Sequence, residues 1–168
     1  MTAPPSNATV LNTTALSNFA HVERVELLEG LPRLVAVPAV QTELEDGVET
    51  HSYLTNALAV LGDTIPVVEL SPQAQTLETT FLETLDPGEA QAPAVAAAVD
   101  GVVVTDDGDA RATAGQRNLS VTGSIGLLVR FVENGRIDAT TADTYLKRWT
   151  DEAGFHSPAR EFDAFLSE

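Results

Sequence analysis

Cysteine is absent from the 168 residues, which excludes disulfides, thiolate zinc sites, iron–sulfur ligation and cysteine nucleophiles. Basic side chains are scarce: nine Lys and Arg, with Lys147 the only lysine, stand against 25 Asp and Glu, for a net charge of -16. The three histidines, His21, His51 and His156, are far apart and none lies in a His-Glu-x-x-His pattern. Each reads as a surface or partly buried side chain rather than a ligand. Long apolar runs are missing too. The longest, Ala92 to Val99, contains Pro93 and stops at Asp100, far short of the ~20 residues that span a bilayer. The opening Met1-Thr-Ala-Pro-Pro-Ser6 has no basic region followed by an apolar core, so no signal peptide is expected. The expectation is a soluble cytoplasmic protein that does not enter membranes.

Several nucleotide and acyl-transfer motifs are also absent. No Gly-rich turn ends in Lys-Ser or Lys-Thr, because Lys147 sits in Leu146-Lys-Arg-Trp149. Asn12-Thr-Thr-Ala-Leu-Ser-Asn18 holds none of the glycines of a dinucleotide fingerprint, and no Gly-x-Ser-x-Gly elbow occurs. An acidic disordered chain is excluded as well, since 43% of residues are apolar and fall in structured runs. The acid-rich, lysine-poor balance is similar to that of cytoplasmic proteins of salt-loving archaea. In ~1 M salt the Debye length is about 3 Å, so self-repulsion is largely screened.

What is present is an alternation of strand and helix patterns. Residues 8–12, 33–37, 65–69, 102–105 and 119–121 read as strands. Helical spacing starts at Thr13 or Thr14, falls over 22–31, opens again at Pro38 with Val40 and Leu44 one turn apart, covers 53–61, 72–82, 87–99 and 110–116, starts once more within 122–129 and runs over 139–166. Such alternation predicts a three-layer α/β/α sandwich around a parallel, roughly five-stranded sheet. A flexible tail over residues 1–7 and a single domain over 8–168 are expected. Trp149, Phe155, Phe162 and Phe165 read as core or lid packing.

The abundant chemistry is carboxylate, which suits hard, oxygen-bound cations such as magnesium or manganese. Gly101-Val-Val-Val-Thr-Asp-Asp-Gly-Asp109 places Asp106, Asp107 and Asp109 just past a buried strand. In open parallel sheets that edge carries the ligand crevice, although short acids also end strands and cap helices. Glu43 and Glu89 stand near helix starts, where a solvated face or a helix dipole accounts for an acid equally well. Thr122, Gly123 and Ser124 suit either a phosphate at a helix N-terminus or a plain cap.

Val10-Leu-Asn-Thr-Thr-Ala-Leu-Ser-Asn-Phe19, Val37-Pro-Ala-Val-Gln-Thr-Glu-Leu44, Leu85-Asp-Pro-Gly-Glu-Ala90, Val104-Thr-Asp-Asp107 and Val121-Thr-Gly-Ser-Ile-Gly-Leu-Leu128 resemble, in that order, the signature segments of PIN-domain proteins. The resemblance runs from about residue 8 to 166, including Ala153-Gly-Phe-His-Ser-Pro158. It implies a magnesium- or manganese-dependent ribonuclease, commonly the toxin of a toxin–antitoxin pair and often a homodimer. The implied metal positions are Asn12, Glu43, Glu89 and Asp107, with Asp106 or Asp109 nearby. Glu43, Glu89 and Asp107 are the implied catalytic acids, and Thr13, Thr122 and Ser124 the implied substrate contacts. The departure is Asn12, where the family pattern has aspartate. One negative charge is lost there, so a metal-weakened nucleic-acid- or protein-binding regulator is the alternative. RNA binding would draw on Arg111, Arg117 or Arg130, while an acid pocket would equally receive an arginine of an antitoxin-like protein. A faint likeness of Asp107-Gly-Asp109 to aspartyl-phosphate phosphatases fails for want of a lysine clamp.

Overall fold

The computed structural model describes residues 2–166. Met1, Ser167 and Glu168, which the expected tail and domain include, lie outside the described residues. In chain order the elements are β1 (Thr9–Leu11), α1 (Thr13–His21), β2 (Leu34–Ala36), α2 (Pro38–Gly47), α3 (Leu54–Val60), α4 (Pro72–Phe81) and α5 (Pro87–Ala98). Then follow β3 (Val102–Val104), α6 (Gly108–Gln116), β4 (Ser120–Thr122), α7 (Ser124–Glu133) and α8 (Ala139–Glu152). Short 3-10 turns cover Val25–Gly30 and Phe162–Phe165.

The four strands form one parallel sheet in the order β2-β1-β3-β4, with Val10 opposite both Val35 and Val103. Parallel neighbours need crossovers, and these are right-handed. The chain moves one way from β1 to β2 and the other way from β3 to β4. The crossovers therefore set α1 on one face of the sheet and α5 and α6 on the other. Packing agrees: α5 lies on β1 and β3 and touches α6, while α1 touches α7, which touches α8. The sheet is buried from both sides, and β1 and β2 are apolar at almost every position for that reason.

Three expectations are corrected. The fifth strand, residues 65–69, is reduced to isolated parallel bridges, of Val67 with Ala36, Val68 with Thr2 and Ile65 with Leu61. Its ladder stops at two bonds, Ala36 N–H to Pro66 O at 2.8 Å and Val68 N–H to Ala36 O at 2.9 Å. Pro66 has no N–H to extend it. The helix expected over 22–31 is a 3-10 turn, in which Val25 and Leu28 are buried at a spacing of three. The helix expected to run to Leu166 ends at Glu152, where Gly154 turns the chain with φ +70°. The N-terminal segment is tied at two points: Glu69 N–H donates to Thr2 O, and Asn7 N–H to Val99 O. Among the described residues no helix is long and apolar enough to cross a membrane.

One packing detail positions the site. Phe81, Leu85, Ala90, Ala94 and Ala110 form a small apolar cluster separate from the main core. Small side chains at Ala90 and Ala110 let the N-terminal turns of α5 and α6 approach closely. The residues just before them, Glu89 and Asp107 to Asp109, are thereby brought to one place.

Candidate functional site

The chain reverses its direction of travel across the sheet between β1 and β3, and ligand crevices form at such switch points. Asn12 follows β1, and Thr105 to Asp107 follow β3. Asn12 is 2% exposed, and its carboxamide is spent on local bonds. Its Oδ1 accepts from Thr13 N–H at 2.9 Å, capping α1, and its Nδ2 donates to Thr105 Oγ1 at 3.3 Å. The same Thr105 oxygen accepts from Asp107 N–H at 3.1 Å. The β1 and β3 ends are thus tied together beneath the crevice.

Three carboxylates gather above this tie. Glu43, on α2, accepts from the Thr13 hydroxyl at 3.0 Å. Its carboxylate is laid over the backbone of Gly88, where a Cβ would stand 2.7 Å from Oε1. Although Glu43 is an exposed residue, this turn inward strips water from the carboxyl and raises its pKa, with the Thr13 bond drawing it back. Glu89, in the first turn of α5, is pushed up to about 7. Burial is the first cause, followed by Asp107 within hydrogen-bonding reach and by the charges of Asp86 and Glu43. Asp107 caps α6 by accepting from Ala110 N–H at 2.8 Å through one oxygen. Among the described residues none of the three makes an ion pair.

The donor set, all carboxylate oxygen with excess negative charge, fits a hard divalent cation. Among the described residues, no three of His, Asp or Glu stand close enough to enclose one ion. The arrangement therefore offers a paired Glu89–Asp107 edge with Glu43 alongside, rather than a closed cage.

The other expected residues are dispersed in role. Asp106 is a clamp: it accepts from Ser124 N–H at 2.7 Å, from the Ser124 hydroxyl and from Asn18 Nδ2 at 3.2 Å, while its own N–H donates to Thr14 Oγ1. Ser124 is wholly buried in that clamp. Thr13 faces Glu43. Thr122 closes β4, its carbonyl accepting from Thr105 N–H. Asp109 is exposed in the first turn of α6 and is not among the charges acting on Glu89. Sequence reasoning missed Thr14 and Asn18, whose i,i+4 spacing sets both on one face of α1, and Asp86, which lies i,i+3 from Glu89 at the start of α5. Of the three expected arginines only Arg111 stands beside the crevice. Arg117 lies over the ring of Phe81, 5.3 Å from its centroid, and Arg130 lines a separate depression with Glu133.

A cavity of about 760 Å³ adjoins Asp106 and Asp107 on the side away from Glu43, lined also by Arg111, Phe155, His156 and Phe165. Phe155, expected as core or lid packing, packs on one side against Trp149 and lines the cavity on the other.

A family profile described as PIN domain matches residues 8–168. No curated protein matches the chain. Among solved structures it is similar to VapBC-1 from nontypeable Haemophilus influenzae, at 16% identity and a TM-score of 0.51, covering 70% of this chain and 98% of that one. It is also similar to VapBC2 from Rickettsia felis bound to a DNA fragment from their promoter, at 16% identity and a TM-score of 0.51, covering 69% and 98%. At that identity the likeness is one of fold.

Proposed function

The chain belongs to the PIN-domain family, and from that premise we propose that it is a divalent-metal-dependent ribonuclease, the toxin of a toxin–antitoxin pair, working in the cytoplasm at high salt. One observation carries the proposal: Glu43, Glu89 and Asp107 gather, without an ion-pair partner among the described residues, at the sheet's switch point. Glu89 and Asp107 would hold magnesium or manganese, with Glu43 closing from the side. Bound there, such a cation activates water and offsets charge on the phosphate being cleaved. The chain's own residues do the positioning. Asn12 and Thr105 lock the strand ends below the acids, and Asp106 fixes the start of α7. Thr13 steadies Glu43. The solved relatives named VapBC support a protein partner, proposed here as an antitoxin-like protein that presents an arginine to the acids, with a homodimer as the assembled form.

A second reading rests on Asn12. Its amide is buried and bonded at both its oxygen and its nitrogen where a carboxylate would add a third strand-end charge, which favours a weakly metal-binding regulator. One experiment separates the two. RNA cleavage is measured in multimolar potassium chloride with manganese for the parent, Asp107→Asn and Asn12→Asp. The nuclease reading expects cleavage by the parent, none by Asp107→Asn, and manganese affinity higher by about tenfold or more in Asn12→Asp. Cleavage by none of the three, with the fold intact, leaves the regulator. Unchanged manganese affinity in Asn12→Asp would remove Asn12 from the site.

A further inference from the structure

The cavity beside Asp107 has a built shape that the metal chemistry does not use. Its floor is bare backbone at Gly108, Gly123 and Gly126. A Cβ at Gly123 would stand 2.5 Å from Asp106 Oδ1 and 2.8 Å from Arg111 Nη1, so glycine there lets both side chains lie against the backbone at the cavity's edge. Its wall is Phe155, which is held from behind. The Phe155 and Trp149 ring centroids are 5.7 Å apart, Trp149 and Phe19 are 5.2 Å apart, and Phe19 and Phe131 are 5.8 Å apart. This aromatic column runs from the core to the cavity. The Trp149 indole N–H donates to Asn18 O at 2.7 Å, and the Asn18 side chain holds Asp106 and Ser124. The aromatic wall and the acid-bearing edge are therefore one rigid unit.

The cavity also contains cationic chemistry, which this chain has little of. Arg111 spends Nη1 on Thr105 O at 3.0 Å and has no carboxylate within ion-pair distance among the described residues. Its remaining donors are available to an anion. His156 lies on the rim. A volume of about 760 Å³ is within the usual range for small-molecule pockets. An aromatic wall and a guanidinium with no ion pair among the described residues together match a planar ring that carries a phosphate.

We propose that this cavity is a nucleotide subsite: it receives one base of the RNA on Phe155, with Phe165 also in the lining and Arg111 on that nucleotide's phosphate, next to the phosphate presented to Asp107. The inference rests on the nuclease reading and adds to it where substrate preference is set. Phe155 and Arg111 are positioning residues, distinct from the carboxylates.

The test is equilibrium binding to the full chain, followed by amide NMR in multimolar potassium chloride with EDTA, using adenosine and cytidine 5′-monophosphates as probes. The expected result is saturable shifts at Gly123, Gly126 and Gly154 that inorganic phosphate does not reproduce. Phe155→Leu keeps apolar bulk against Trp149 and removes the stacking face, and it should weaken binding about tenfold. Arg111→Gln should weaken nucleotides and leave adenosine itself unchanged. No saturable shift, or parent-like binding by both variants, overturns the subsite. So does saturation of the same amides by an arginine-containing peptide when nucleotides have no effect, which would give the cavity to a protein partner. Manganese-dependent cleavage without nucleotide binding sinks this inference alone. Nucleotide binding without cleavage upholds the pocket and sinks the nuclease.

Discussion

At the scale of single residues, the most consequential side chain is Glu89. Its ordinary pKa is 4.5, and in the folded protein burial, Asp107, Asp86 and Glu43 raise it to about 7. Between these values the folded chain holds a proton that the unfolded chain has released. Stability therefore falls as pH rises from about 4.5 to about 7 and levels off above that. A divalent cation bound at Glu89 and Asp107 replaces the proton, so manganese should restore stability on the high-pH plateau and do little below pH 5. Glu89→Gln removes the titrating group, so both the fall and the manganese rescue should vanish together. Thermal unfolding by circular dichroism at fixed potassium chloride from pH 4.5 to 8, with and without manganese, reads both. Equal manganese rescue in Glu89→Gln would place the ion elsewhere. Of this site the sequence displayed the parts and not their roles. Glu43, Glu89 and Asp107 stood out only jointly, through the family's order of segments. Spacing alone does not rank Asp106, Asp107 and Asp109, and three-dimensional packing separates the Ser124 clamp from the Glu89 partner and the solvated first-turn acid.

At the scale of elements, α5 illustrates how a helix start is adapted to a site. Gly88 lies in its first turn, where alanine would raise helix propensity by up to about 1 kcal/mol. A Cβ there, however, would stand 2.7 Å from Glu43 Oε1. The obstacle is the far end of a flexible side chain, so the fold can yield by swinging Glu43 away. Gly88→Ala should therefore unfold at the same or higher urea concentration while manganese affinity drops severalfold, a split that calorimetry and urea titration together would detect. Gly101→Ala is the contrasting case. Its Cβ would meet the backbone oxygen of Ala8, which cannot swing aside, and a loss of about 2 kcal/mol or more is expected. If both substitutions proved equally destabilising, Glu43 would not be seated on Gly88. Elements of this kind were readable in outline because Pro38, Pro72 and Pro87 open helices and valine runs mark buried strands. The exceptions have local causes. Pro66 cut short a strand that its apolar neighbours promised, and spacing over Val25 to Leu28 suited a 3-10 turn as well as an α-helix. The cavity was invisible in sequence, because Phe155 and Gly123 are 32 positions apart and meet only when the segment after α8 folds back.

At the scale of the whole molecule, charge is distributed as unevenly as it is abundant. Between Arg33 and Arg111 there is no lysine or arginine, yet that stretch holds more than half of the 25 acidic residues. It comprises β2, α2 to α5 and β3. The ion pairs lie elsewhere: among the described residues all but Arg24–Glu26 involve α8 or the segment after it. Repulsion in dilute buffer is thus concentrated on the helices that carry Glu43 and Glu89, and the paired C-terminal part should feel it less. Monovalent salt weakens that repulsion as the Debye length shrinks from about 10 Å at 0.1 M to about 3 Å at 1 M. Thermal stability is therefore expected to climb steeply with potassium chloride over that range. Amide exchange at low salt should be fastest over residues 38–98 and slow there selectively as salt is added, with α8 changing little. This also sets the order in which the molecule becomes competent. If the proposed metal site is held together by salt screening before manganese binds, measured manganese affinity should pass through a maximum with potassium chloride instead of falling throughout, as simple competition for an exposed acidic site would require. Isothermal titration from 0.1 to 3 M potassium chloride decides between them: a monotonic fall would mean that the site is preformed without salt and that the surplus of acid serves solubility alone.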